Sequence, residues 1–193
     1  MSRAARLVVA LAACSLLVAM LLPLWRVQLH APQYPEGLGL LIRTNTVTGI
    51  KPSDLGSING LNHYIGMKAI HPDAIPELQY MRWIIAGLTV LGLAAALRGT
   101  RRAVLAWLVV FVLVGAVGMV DFWRWEYDYG HNLDMAEAII VVPGMTYQPP
   151  LLGSKQLLNF TAASWPASGA WVIGLAFLAA AGTLVTSRRR SAV

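Results

Sequence analysis

Four long apolar runs alternate along the chain with mixed polar stretches: 7–25, 83–97 (extendable back to 80), 103–120 and 170–186. A helix that crosses a bilayer takes about 20 mostly apolar residues. In lipid the backbone must satisfy its own hydrogen bonds, so such runs are expected to be helical. The pattern therefore predicts an all-α membrane protein with four transmembrane helices. The divisions fall at 1–25 (first helix), 26–79 (outer segment), 80–97 (second helix) and 98–102 (a tight turn). They continue at 103–120 (third helix), 121–169 (second outer segment), 170–186 (fourth helix) and 187–193 (tail).

Proline and glycine punctuate both long segments, from Pro32 to Pro76 and from Gly130 to Pro166. Breakers at that density predict turns, short strands and short helices, folding into a small mixed cap. Residues 38–42 and 138–142 are strand candidates by apolar and β-branched content. Residues 54–67 are a helix candidate with Ser53 or Asp54 as its cap. Each half reads helix, long segment, helix, a weak two-fold repeat.

Composition agrees: 57% of residues are hydrophobic and 12% charged, against about 25% charged in a soluble domain. The net charge of +6 invites a nucleic-acid reading until it is divided by position. Arg3, Arg6, Arg98, Arg101, Arg102, Arg188, Arg189 and Arg190 lie in three short segments without an acid, which sum to +8. The two long segments and their edges hold the other seven cations and all nine acids, and sum to −2. Short cytoplasmic segments are enriched in Lys and Arg. The expectation is a multi-pass protein of the bacterial inner membrane, contacting lipid and no nucleic acid. Both termini are cytoplasmic and the long segments periplasmic. Trp25, Trp83, Trp123, Trp125, Trp165 and Trp171 fall near the outer ends of the runs, as an aromatic belt would, and Trp107 lies inside one.

The stretch Leu11-Ala12-Ala13-Cys14 looks like a lipoprotein cleavage site, but 15–25 stays apolar, so an uncleaved helix is expected. Cys14 is the only cysteine, which removes an internal disulfide, a CxxC pair and a haem-attachment motif. No P-loop or nucleotide fingerprint occurs, and no ionisable residue sits well inside a run. Function is therefore expected on the outer face, and it is not enzymatic.

All four histidines, His30, His63, His71 and His131, lie in the outer segments. His63 and Met67 are four apart, as are His131 and Met135, a spacing that shares one face of a helix. Imidazole with thioether is a donor set for Cu(I). The preferred metal ligands are His63, Met67, His131 and Met135, with His71 and Met145 next. Zinc would recruit a carboxylate such as Asp134 or Asp73. The plain alternative is that the methionines pack and the histidines only form hydrogen bonds. A second feature, Asp121-Phe122-Trp123-Arg124-Trp125-Glu126-Tyr127-Asp128-Tyr129-Gly130-His131, crowds aromatics and charges just past the third run. It suits either an interface anchor, with Arg124 paired to Glu126 or Asp128, or a stacking site for a ligand. Tyr147-Gln148-Pro149-Pro150 reads as an extended segment, and Asn159-Phe160-Thr161 matches a sequon.

Several stretches resemble a family of small bacterial membrane proteins associated with nitrous-oxide reductase maturation clusters. They are Tyr34-Pro35-Glu36-Gly37-Leu38, Asn59-Gly60-Leu61-Asn62-His63-Tyr64-Ile65-Gly66-Met67-Lys68 and Tyr127-Asp128-Tyr129-Gly130-His131-Asn132-Leu133-Asp134. Val142-Pro143-Gly144-Met145-Thr146-Tyr147-Gln148-Pro149-Pro150-Leu151 and Leu157-Leu158-Asn159-Phe160 complete them. The resemblance implies a role in denitrification: handling copper for an exported copper enzyme, with a periplasmic copper chaperone or that enzyme as partner. A metal-free scaffold binding a partner through the aromatic-rich cap is the alternative. A quinol-interacting subunit using Trp123, Trp125 and His131 is a third reading.

Overall fold

The computed structural model describes residues 1–189, with side chains to Thr186. Arg190 of the basic tail lies outside the described residues, and so do the side chains of Arg188 and Arg189. The elements in order are α1 (Arg3–Ala19), β1 (Trp25–Ala31), β2 (Tyr34–Ile42), β3 (Val47–Gly49) and α2 (Asp54–Tyr64). Then follow α3 (Glu77–Arg98), α4 (Arg101–His131), β4 (Gly153–Leu157), β5 (Phe160–Pro166) and α5 (Ser168–Arg189).

This is a mixed α/β fold, which corrects the all-α, four-span expectation. Among the described residues three helices are long and apolar enough to cross a membrane: α3, α4 and α5. The first apolar run does not stay helical to its end. Helix α1 has 17 residues and closes at Ala19. Pro23 lacks an N–H for a further turn, and Trp25 already opens β1. The alternation Trp25-Arg26-Val27-Gln28-Leu29-His30 is the period-2 pattern of a half-buried strand.

The strands form one antiparallel sheet in the order β3-β2-β1-β5-β4. Its middle pair joins distant parts of the chain, with Trp25 opposite Pro166 and His30 opposite Thr161. Residues 38–42 are strand as expected, within β2. Residues 138–142 are not; they are part of an irregular loop from α4 to β4. Helix α2 stops at Tyr64, three residues short of the 54–67 reading. Ser53 holds its N-cap position without a side-chain bond. The Asp54 carboxylate turns to the sheet instead, accepting from the N–H groups of Gly39 (3.0 Å) and Lys51 (3.1 Å).

Two separate cores result. One lies among the long helices, where α1 packs along α5 and α3. Small residues let the backbones approach, as is general in helix packing within membranes. A Cβ on Gly92 would come within 2.7 Å of both the Ala13 Cβ and the Trp107 ring. Trp107 donates its indole N–H to the Leu88 carbonyl (2.9 Å), so a buried polar atom is satisfied inside the bundle. At one end of the bundle Arg6 donates to the carbonyls of Ala96 (2.9 Å) and Leu97 (2.7 Å), and the N-terminal ammonium donates to Gly99 (3.0 Å). Arg3 and Arg6 thus gather at the same end as the turn from Arg98 to Arg102. The sheet sits at the other end, with a second core of Leu38, Leu40, Val47, Ile58, Ile70, Ile75 and Leu78.

Helix α4 links the two regions. Its 31 residues measure about 46 Å at 1.5 Å per residue. The apolar stretch 103–120 accounts for about 27 Å of that, close to a hydrocarbon core. The remaining turns, from Asp121 to His131, stand clear of it and run beside the sheet.

Candidate functional site

Residues 59–70 and 127–140 face one another. In the first, Asn59 grips Ile70 in both directions: its side-chain N–H donates to the Ile70 carbonyl (3.1 Å) and its oxygen accepts from the Ile70 N–H (2.7 Å). Asn62 donates to the Lys68 carbonyl (3.1 Å). These bonds fold the segment after α2 back under it. The reversal is made at Gly66, whose φ of +74° is the left-handed region that glycine occupies without a Cβ penalty. A Cβ there would also lie 2.5 Å from the Asp134 carbonyl oxygen.

The second stretch supplies the partners. Lys68 pairs with Asp128 (2.8 Å), and the Tyr129 hydroxyl donates to the Ala69 carbonyl (3.4 Å). The Asp134 N–H donates to the Gly66 carbonyl (2.7 Å) and the Ile140 N–H to the Tyr64 carbonyl (2.8 Å). Hydrogen bonds from Lys68 and then from Asn132 hold the Asp128 carboxyl below the ordinary aspartate value. Arg124 is therefore not its ion-pair partner.

Against this frame the six proposed ligands separate. His63 is exposed at the last turn of α2, and Met67 lies past the Gly66 reversal, lining a cavity. The expected shared helical face does not form, because the helix ends between them. His131 closes α4 with its ring stacked on Tyr127 (centroids 3.9 Å apart) and Nδ1 3.0 Å from the Tyr127 carbonyl. Met135 follows outside the helix, 47% exposed. The segments bearing these four are tied together by the bonds above. His71 caps a short 3₁₀ turn, Pro72–Ala74. Met145 sits in the loop behind Val142, to whose carbonyl its N–H donates (3.1 Å). Among the described residues no group of three or more His, Cys, Asp or Glu is placed to hold a metal.

The cavity itself measures about 430 Å³. The face of β1 that carries Val27 and Leu29 lies opposite Leu40 and Leu38 of β2 and forms one wall. Ile58 and Leu61 of α2, the Trp125–Tyr129 pair of α4 and the β4–β5 turn close the others. Trp125 stacks on Tyr129 with centroids 4.1 Å apart, so it belongs to the cavity and not to an outward belt.

Two polar side chains in the wall have buried atoms without a hydrogen-bond partner: both carboxyl oxygens of Glu126 and the hydroxyl of Tyr147. Glu126 is 1% exposed and Tyr147 3%. Burial pushes the Glu126 carboxyl up to about 8, so the fold holds it as a neutral acid at pH 7. Burial likewise raises the Tyr147 hydroxyl above its ordinary value. Tyr147 is placed by Gly130, one helical turn beyond Glu126: its N–H donates to the Gly130 carbonyl (2.9 Å). The loop lies so close that a Cβ on Gly130 would meet the Gln148 backbone at 2.4 Å.

Sequence reasoning passed over Glu126 and Tyr147. Glu126 sits among alternating charges that suggest a solvated acid. The available signal was its spacing: Phe122, Trp125, Glu126 and Tyr129 share one helical face.

No protein-family model matches the chain, and no curated protein is significantly similar to it.

Proposed function

We propose that the chain is a membrane-anchored accessory protein that holds Cu(I) at the outer face for maturation of an exported copper enzyme such as nitrous-oxide reductase. The supporting observation is the tie between the two His/Met segments through Gly66–Asp134, Tyr64–Ile140 and Lys68–Asp128. It brings segments carrying two imidazoles and two thioethers, His63, Met67, His131 and Met135, to the outer end of α4. That donor set suits Cu(I). With Nδ1 of His131 turned to the Tyr127 carbonyl, Nε2 is the nitrogen available to a metal. Copper is cargo in this reading, passed by ligand exchange to a periplasmic chaperone or enzyme. The basic end of the bundle faces the cytoplasm and the sheet faces the periplasm, by the cytoplasmic preference of Lys and Arg. The test is copper stoichiometry of the purified protein and of a His63→Ala/His131→Ala variant. Retention of copper by the double variant would reject the site.

A second reading is favoured by the ladder of exposed Trp123 and Tyr127 and half-buried His131 on one face of α4. Trp123 is 45% and Tyr127 46% exposed, and their rings are 5.5 Å apart. As a metal-free assembly subunit, the protein would offer this ladder to a partner protein. Co-purification of a partner that is lost in Trp123→Ala, with no copper taken up after loading, distinguishes it.

A further inference from the structure

We propose that the cavity beside α4 binds a quinone-class molecule, a flat apolar ring bearing carbonyl oxygens, with Glu126 and Tyr147 as its hydrogen-bonding groups. The size is right: about 430 Å³ lies within the roughly 300–1,000 Å³ of small-molecule sites. The wall is right for a flat ring, since the stacked Trp125–Tyr129 pair offers an aromatic surface. The polar groups are right as well. A neutral carboxyl and a phenol each carry one O–H donor, and neither has a partner within the protein. A buried polar group without a partner is costly, and a ligand with carbonyl oxygens removes that cost at both.

Other occupants fit less well. The cavity wall carries no lysine, arginine or histidine, so an anion finds no counter-charge. A simple acyl chain would use the apolar walls and leave the donors unmet. The position also suits a lipid-soluble ligand. Val27 in the wall is two residues past Trp25, whose ring meets Phe122 just beyond the apolar stretch of α4. With 103–120 read as a membrane span, this end of the cavity lies next to the membrane surface. The Glu126 oxygens and the Tyr147 hydroxyl are covered in the protein alone, so a ligand reaches them only with a shift of the two side chains, for Glu126 a change of rotamer. Met67 of the copper reading lines the cavity, but His63, His71 and His131 do not, so the His63→Ala/His131→Ala variant tests copper and the Glu126 and Tyr147 variants test the quinone site separately.

The experiment is calorimetric titration of the full-length protein in detergent with ubiquinone-1, alongside methyl decanoate as the acyl probe. Parent protein is expected to show one saturable site for ubiquinone-1. Glu126→Leu is expected to bind about tenfold more weakly, the loss of one hydrogen bond in an apolar site. Glu126→Gln keeps a donor and is expected to stay within about threefold of the parent. Tyr147→Phe, which removes one oxygen and little else, guards against a folding artefact at Glu126 and is expected to weaken binding about threefold to tenfold. Absence of saturable ubiquinone-1 binding to the parent would overturn the proposal. Equal binding by parent, Glu126→Leu and Tyr147→Phe would also overturn it, as would methyl decanoate binding as tightly as the quinone.

Discussion

The helix bundle and the sheet domain bury apolar surface in opposite ways. The bundle core sets alanines, Ala13, Ala95, Ala96, Ala176 and Ala180 among them, between larger apolar side chains, and Trp107 is both enclosed and hydrogen-bonded. The sheet domain is built with larger aliphatics, yet it encloses a cavity with an acid and a phenol in its wall. Close packing is the ordinary state of a protein interior. A region that departs from it, and leaves polar atoms unpartnered as well, is shaped by something other than its own stability. In the proposed readings the bundle anchors the protein and the sheet domain binds.

The widest separation of the two regions is expected from pH. Glu126 has its carboxyl raised from 4.5 to about 8 in the folded protein. Below 4.5 it is protonated in both states and carries no charge penalty. Between 4.5 and 8 the unfolded chain ionises while the folded one does not, so stability falls as pH rises. Above 8 the loss is complete. The effect is of the order of several kcal/mol. Hydrogen exchange followed across this range should show the sheet domain loosening while the bundle stays protected, and Glu126→Gln should flatten the response. A pH-independent sheet domain would mean that Glu126 is not held neutral.

Added bulk should discriminate next. Gly92→Leu drives a side chain into Trp107 and Ala13 and is expected to cost about 3 kcal/mol. Leu61→Phe, in the cavity wall, is expected to stay within about 0.5 kcal/mol of the parent. Thermal unfolding in detergent reads both, and equal losses would erase the contrast. Gly130→Ala is expected to cost about 2 kcal/mol, because its Cβ meets backbone and not a movable side chain. The Tyr147 amide should then exchange faster. Lys68→Ala removes an exposed ion pair and is expected to cost under about 1 kcal/mol.

The same contrast governs what the sequence reveals. Runs such as 103–120 announce helices because nearly every residue is apolar. That uniformity also hides the end of α1: Leu21, Leu22 and Leu24 prolong the apolar run past the last helical turn, and only Pro23 marks the break. In the outer segments, spacing misled where a glycine intervened. His63 and Met67 keep helical spacing in the sequence, yet the chain reverses at Gly66. Strand β1 carried a legible alternation, but it was adjacent to a long apolar run and was absorbed into it. Its pairing with β5 was not legible at all, since register across a sheet is set by contacts that no local pattern contains. Glu126 was misleading for a related reason: the loop carrying Tyr147 packs on α4 one turn further on, at Gly130, and is remote in sequence.

The central pairing of β1 with β5 also sets an order of events during synthesis. Trp25 emerges early, but its neighbour Pro166 is made only after α3 and α4 are complete. Until then β1 has one free edge, and the sheet lacks two of its five strands. Contacts of such long sequence separation form late. The sheet can therefore close only once α3 and α4 have been made, which makes a finished sheet domain a report that the two long helices between its halves are already built.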